Sequence, residues 1–255
     1  MKQNIIKGLK VAGIFIIAIL FAAILITAKV SMGEVVCNEI EVKIVKGDDV
    51  HFINQQDVLD YINNNGQSLV INQRIKDIDK SEIEVRIEKN SYVANAEVFT
   101  NFEGKIKVKV EQKNPIYRAF NNNGVSYYVD QFGGNIPISS KFTPRLIVVT
   151  GYLPENSSEE AKSKTQEIIN LVNFIEADEF WDAMIGQFYL AKNGDFILYP
   201  KISEHKVILG SADNLEEKFK YLNIFYKEAI KKVDWTKYNT INLKYKGQII
   251  CTKNN

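Results

Sequence analysis

VAGIFIIAILFAAILITA, residues Val11 to Ala28, is an uncharged apolar run held between Lys10 and Lys29. About 18 residues at ~1.5 Å rise each make a helix that just crosses a bilayer's hydrocarbon core. Residues 1–10 are too few to fold, so whatever does work lies beyond the run. The chain therefore reads as a cytoplasmic tail (1–10), a transmembrane helix (11–28) and an exported body. Lys2, Lys7 and Lys10, with no acid among them, favour N-in, C-out; Lys29, Lys43 and Lys46 partly balance that signal. A cleaved signal peptide is the competing reading. Its apolar region spans ~7–15 residues and ends in a small-x-small site, whereas Ile26-Thr27-Ala28 places a bulky residue where a small one is needed. Val35-Val36 before Cys37 does not form a lipidation box. A retained anchor is favoured, and either reading exports the body.

Working outward, the next stretch reads as a β-α-α-β-β unit. Ile40, Val42 and Ile44 alternate with charged residues, the pattern of a strand with one buried face. Asn54 with Asp57 forms a capping-box variant opening a helix with Val58, Leu59 and Ile62. Asn63-Asn64-Asn65-Gly66 stops it. Asp79 with Glu82 opens a second helix carrying Ile83 and Ile87 at i, i+4 spacing. Strands follow at Val93–Asn101 and Lys105–Gln112, joined by a turn at Phe102-Glu103-Gly104. Ile106, Val108 and Val110 face inward, and Lys105, Lys107 and Lys109 form a solvated face.

Pro115 lacks a ladder donor and suits a strand end, so the boundary falls there: a unit over 37–114, then a strand-rich domain over 115–255. Strands are predicted at Val125–Asp130, Arg145–Thr150, Gln187–Lys192, Asp195–Pro200, Lys206–Leu209, Thr240–Tyr245 and Gln248–Thr252. Asn193-Gly194 is a hairpin signal, since both residues tolerate φ > 0. Ser157 with Glu160 caps a long helix with an apolar stripe at Ile168, Leu171, Val172 and Ile175. A second helix after Asp213 carries Leu215, Phe219, Leu222, Tyr226 and Ala229. The fold class is α+β.

The balance of 32 basic and 31 acidic residues lacks the basic excess of a nucleic-acid footprint. His51 and His205 stand alone, with no i+4 ligand or Cys-x-x-Cys partner, and read as surface or packing residues. Acidic pairs such as Asp178-Glu179 flank turns or open helices, where they offset the helix dipole. No Gly-x-Ser-x-Gly, P-loop or Gly-x-Gly-x-x-Gly occurs. The residues give no catalytic, cofactor or metal site, and no small-molecule substrate. Cys37 and Cys251, at opposite ends of the body, read as two free thiols, because a bridge needs Cα atoms within ~7 Å.

The order of these elements, with the residues of several segments, resembles the bacterial cell-division family FtsQ/DivIB, from about Val11 to Thr252. Cys37–Val45 is similar to the first strand of that family's POTRA domain. Ile83–Val93 and Ala96-Glu97-Val98 resemble its helix-to-strand passage. Gln112-Lys113-Asn114-Pro115-Ile116 is similar to the domain junction, where an arginine is more usual at Lys113 or Asn114. Tyr128-Val129-Asp130, Gly133-Gly134 and Pro137-Ile138 resemble a hydrophobic-Asp-Gly-Pro-Leu stretch, and Leu146–Gly151 the strand after it. Ile241-Asn242-Leu243-Lys244-Tyr245 departs from the usual Asp-Leu-Arg-Tyr at Asn242 and Lys244. The short tail and Asn-rich style are similar to a Bacteroidota-like member.

The resemblance implies a bitopic, non-enzymatic divisome scaffold of the inner membrane, its C-terminal domain in the periplasm and enriched at the septum. Such a scaffold recruits FtsB/DivIC-like and FtsL-like coiled-coil proteins and helps regulate septal peptidoglycan synthesis. It also implies a partner bound along the terminal strand. A free strand edge offers unpaired N–H and C=O groups to an added strand. The expected contact residues are Leu243, Tyr245, Lys246, Gly247, Gln248, Ile249 and Cys251, with the edge of the POTRA sheet as a second surface. A membrane-anchored envelope enzyme or sensor is the alternative. A POTRA protein handling outer-membrane polypeptides would carry POTRA repeats and a barrel, which the sequence lacks.

Overall fold

A computed structural model describes residues 16–23, 35–45, 50–154, 158–202, 204–229 and 237–254. Residues 16–23 are helical, with Ile16, Ile17, Ile19, Leu20 and Phe21 exposed. The rest of the Val11–Ala28 run and the leading tail lie outside the described residues. Among the described residues, no helix is long and apolar enough to cross a membrane. From residue 35 the fold is mixed α+β, and the chain divides into two units: Met1–Lys46 with Ile53–Gln112, and Gly47–Phe52 with Lys113–Asn255.

Unit 1 follows the expected order. Strand β1 (Glu39–Val45) is followed by helices α1 (Gln55–Ile62) and α2 (Lys80–Glu88), then β2 (Val93–Thr100) and β3 (Lys105–Gln112). The sheet order is β1-β3-β2, with β1 parallel and β2 antiparallel to β3. The capping box forms as predicted: Asn54 Oδ1 accepts from Asp57 N–H at 3.0 Å, and Asp57 Oδ2 from Asn54 N–H at 2.9 Å. Helix α1 stops where Asn64, Asn65 and Gly66 turn to positive φ. Ile106, Val108 and Val110 are fully or almost fully buried under Val58, Ile62, Ile83 and Ile87 of the helices. On the opposite face the lysine stripe is neutralised by carboxylates of the neighbouring strands. Lys105 pairs with Glu39 (2.7 Å) and Lys107 with Glu41 (3.4 Å) of β1, and Lys109 with Glu97 of β2 (3.5 Å) as well as Glu111 of its own strand (2.8 Å).

Unit 2 is built on a nine-stranded sheet, and several elements differ from the sequence reading. Pro115 opens a central strand, β4 (Pro115–Asn121), between β5 (Ser126–Asp130) and β7 (Ile147–Gly151). A proline is tolerated at a strand's first residue, which is why it concealed the strand. Short β6 (Asn135–Pro137) was likewise not predicted. Strands β8 (Ile185–Leu190), β9 (Phe196–Pro200), β10 (Lys206–Gly210), β11 (Tyr238–Asn242) and β12 (Ile250–Lys253) complete the order β12-β11-β10-β9-β8-β7-β4-β5-β6. The β8–β9 hairpin turns at Gly194, whose φ is +86°.

Helix α3 (Glu159–Glu176) is capped by Ser158, whose Oγ accepts from Ala161 N–H at 3.1 Å. The predicted cap, Ser157, lies outside the described residues. The six-residue helix α4 (Glu179–Met184) is too short to show a period. Asp178 caps it through bonds to the N–H groups of Phe180 and Trp181. Helix α5 (Leu215–Ile224) starts at Asn214 and passes into a π-type turn at Phe225–Ala229. Ile168, Leu171, Val172 and Ile175 of α3, Trp181 of α4 and Phe219 and Leu222 of α5 share one core with Val149, Phe188, Leu198, Val207 and Ile241 of the strands. Each such side chain adds about 1.5–3 kcal/mol of burial free energy, which fixes strand register and so fixes which strand lies at the edge.

Candidate partner-binding edge

Strand β12 is one edge of the nine-stranded sheet, paired on its inner side with β11: Thr240 faces Thr252, Ile241 faces Cys251, and Asn242 faces Ile250. Three residue pairs attach β11 in turn to β10, in parallel. Asn254 N–H bonds to the Lys237 carbonyl at 3.0 Å. By the two-residue alternation of an antiparallel ladder, the N–H groups of Cys251 and Lys253 turn outward. Among the described residues, no side chain bonds to the outer edge of Ile250–Lys253.

The turn from β11 to β12 is longer than Lys246-Gly247 alone. Leu243 N–H donates to the Ile208 carbonyl at 2.8 Å, and its side chain is buried in the core. Asn242 Oδ1 accepts from Lys244 N–H at 3.0 Å, Gln248 N–H donates to the Tyr245 carbonyl at 3.1 Å, and Gly247 takes φ +71°. Lys244 Nζ reaches across to Asp195 Oδ2 at 2.7 Å and latches the turn to the β8–β9 hairpin. Burial would raise the Asp195 pKa, but its bonds from Lys244 and Asn193 outweigh that and hold it below the ordinary carboxylate value. Asp213, bonded by Lys218 and Ser211, is held low for the same reason.

The predicted contact residues therefore separate. Tyr245 is 54 % exposed, and Lys246, Gly247 and Gln248 are exposed beside it. These four rim a cleft of about 350 Å³ whose far wall includes Lys218 and Tyr221 of α5. Ile249 and Cys251 pack against the core. Leu243, expected among the contact residues, is buried in the core: strand β11 ends at Asn242, and the next residue turns under the sheet. Ile250, not singled out by the sequence, is exposed on the opposite face, at the end of a row with Ile197, Ile208 and Asn242. Its signal was the alternation Ile249-in, Ile250-out, Cys251-in.

The second expected surface is closed on one side. Glu84 Oε1 accepts from Val98 N–H at 2.8 Å and Glu88 Oε1 from Ala96 N–H at 3.2 Å. Two outward donors of edge strand β2, those of Ala96 and Val98, are thus taken by α2. On β1, Gln55 Nε2 donates to the Val42 carbonyl at 3.3 Å.

The remaining titratable residues do not converge on one site. His205 is buried, its Nε2 is 2.8 Å from the Tyr226 hydroxyl, and burial lowers its pKa. His51 packs edge-on to Phe142. A hollow of about 730 Å³ between α3 and β4–β5 is lined by Tyr117, Tyr127, Asn135, Lys162 and Gln166, with no carboxylate or histidine in its lining. Cys37 and Cys251 are free thiols, and burial raises the pKa of each. Among the described residues, no group of three or more His, Cys, Asp or Glu side chains is placed to hold a metal ion.

A three-stranded α/β unit followed by a helix-covered nine-stranded sheet, with β12 bare at one of its two edges, is a build suited to a two-unit binding scaffold. Residues 35–111 match the family model of the POTRA-like domain, and residues 114–252 match the model described as FtsQ/DivIB, C-terminal related. The chain belongs to the FtsQ/DivIB family, whose domains serve as non-enzymatic scaffolds in cell division. No curated protein matches the chain significantly.

Proposed function

We propose that the chain is a single-pass divisome scaffold, anchored by Val11–Ala28 with its body in the periplasm, that recruits FtsB/DivIC-like and FtsL-like proteins to the septum and so helps regulate septal peptidoglycan synthesis. The observation that carries this reading is the contrast among strand edges: β12 keeps outward N–H groups that no described side chain takes. A partner strand added there gains main-chain hydrogen bonds, while Tyr245, Lys246, Gly247 and Gln248 line the cleft beside it and supply side-chain selectivity. Ile250 places an apolar side chain on the opposite face, beside the incoming strand.

The test is titration of the full chain, in nanodiscs, with the periplasmic segment of the FtsB/DivIC-like partner, alone and with the FtsL-like protein. Tyr245→Glu is expected to weaken binding at least about tenfold with an unchanged circular-dichroism spectrum, because Tyr245 is outside the core. Absence of binding by the intact chain in both mixtures would sink the proposal and reopen the envelope enzyme or sensor.

A further inference from the structure

Between residues 35 and 112, six large apolar side chains are exposed: Val36, Leu69, Ile71, Val85, Phe99 and Phe102. Four of them, Val36, Leu69, Ile71 and Phe102, sit on three segments that meet at one end of unit 1. Cys37 N–H donates to the Gln73 carbonyl (2.7 Å), Asn72 N–H to the Cys37 carbonyl (2.8 Å) and Ile75 N–H to the Val35 carbonyl (2.8 Å). From the other side, Asn38 N–H bonds to the Gly104 carbonyl (2.9 Å) and Asn38 Nδ2 to the Glu103 carbonyl (2.8 Å). Gly104 takes φ +84°, and a Cβ there would stand 2.3 Å from the Val36 carbonyl oxygen. Loop 69–73 and turn 102–104 are therefore fixed against residues 35–38, with Leu69 64 % and Phe102 76 % exposed.

The chain enters the unit at this same end. Seven residue steps separate Ala28, the last residue of the apolar run, from Val35. Fully extended, they reach at most about 25 Å. Resting on the reading of Val11–Ala28 as a retained anchor, we infer that this end of unit 1 lies on the bilayer surface, with Leu69 and Phe102 seated among the lipid headgroups.

The occupant follows from that tether and from the chemistry of the patch. A bilayer within about 25 Å is available to the patch at all times, and single apolar side chains on a rigid surface gain from entering its interfacial layer. Charge adds little: Arg74 is paired with Asp77 at 2.7 Å and Lys105 with Glu39 at 2.7 Å, while Glu103 follows Phe102 directly. The contact is thus apolar, and it tolerates neutral lipid and high salt.

The experiment uses the full chain in phosphatidylcholine vesicles, with Leu69→Trp, Phe102→Trp and, as reference, Ala94→Trp. Ala94 is exposed near the far end of β2, about 25 Å from position 102 by strand rise. Signal from the two native tryptophans is subtracted with the parent chain, and circular dichroism checks the fold. With brominated lipid, quenching at positions 69 and 102 is expected to exceed that at 94 at least about twofold, and to persist in about 0.5 M salt, where charge attraction is screened. A chain that floats with the vesicles but is quenched equally at all three positions overturns this inference alone, and assigns the patch to a protein partner. A chain that does not float with the vesicles overturns the anchor reading, and this inference with it.

Discussion

Strands β2 and β12 are both edge strands, and the sequence treats them in opposite ways. The outward N–H groups of Ala96 and Val98 in β2 are occupied by Glu88 and Glu84 of a helix in the same unit. Those of Cys251 and Lys253 in β12 have no such guard among the described residues. Edge strands left bare invite pairing with other chains. Placing carboxylates on one of these edges and none on the other leaves β12 open to pairing where β2 is partly taken. What distinguishes the two is a pair of side chains on a neighbouring helix, while strand composition is alike in offering alternate apolar residues.

The largest effect that tests this comparison is removal of the guard. Glu84→Ala with Glu88→Ala leaves two outward donors without acceptors and is expected to cost unit 1 about 2 kcal/mol, read by urea unfolding. Sedimentation velocity should show new self-association through β2. Glu84→Gln with Glu88→Gln keeps an acceptor oxygen at each position and should largely restore both. If the alanine pair leaves the chain monomeric and equally stable, the two edges are not distinguished in this way.

Next in size, Cys251→Pro removes an outward donor from β12 while sparing the inner ladder. It is expected to weaken partner binding by about tenfold, equivalent to ~1.4 kcal/mol, by calorimetry.

Acid should then separate the edges through the latch. The carboxyls of Asp195 and Asp213 have pKa values below the ordinary one. Their stabilising contribution is therefore fully present above about pH 4 and is lost as pH falls through the folded values. Protection of the amides in residues 243–249, taken relative to intrinsic exchange at each pH, should fall in that window and recover above it. Equal protection across the window would show that the latch does not hold the turn.

The smallest effect belongs to the lysine stripe. Lys107→Gln breaks an exposed pair with Glu41 and should change stability by less than about 0.5 kcal/mol. A larger loss would mean that the cross-strand ladder, and not the core beneath it, holds β1 to β3.

Unit 1 was legible from the sequence because its signals are local. The Ile106-Val108-Val110 alternation and the Asn54 and Asp79 caps state face and start directly. Unit 2 was legible in α3, in the Asn193-Gly194 hairpin and in strands β5 and β7–β12, whose expected spans overlap the observed ones, but not throughout. Pro115 masked β4, six residues of α4 could not declare a helical face, and Leu243 looked like a continuing strand although its burial depends on the non-local bond to Ile208. The bare edge could be placed in the last strand, but the guard on β2 could not. Glu84 and Glu88 read as ordinary solvated charges until helix and strand are brought side by side.

That guard rests on a coincidence of two measures. Glu84 and Glu88 are one helical turn apart, about 6 Å along the axis, while Val98 and Ala96 are two strand residues apart, about 6.6 Å. The two lattices are commensurate over this short span, and they run in opposite directions, so each acid meets its own donor. A one-residue insertion within either element would put both contacts out of phase together, since a helix advances by turns and a strand by pairs. Substitution can change the chemistry of the guard, but its alignment is a property of spacing, and lengths here are under tighter constraint than side-chain identity.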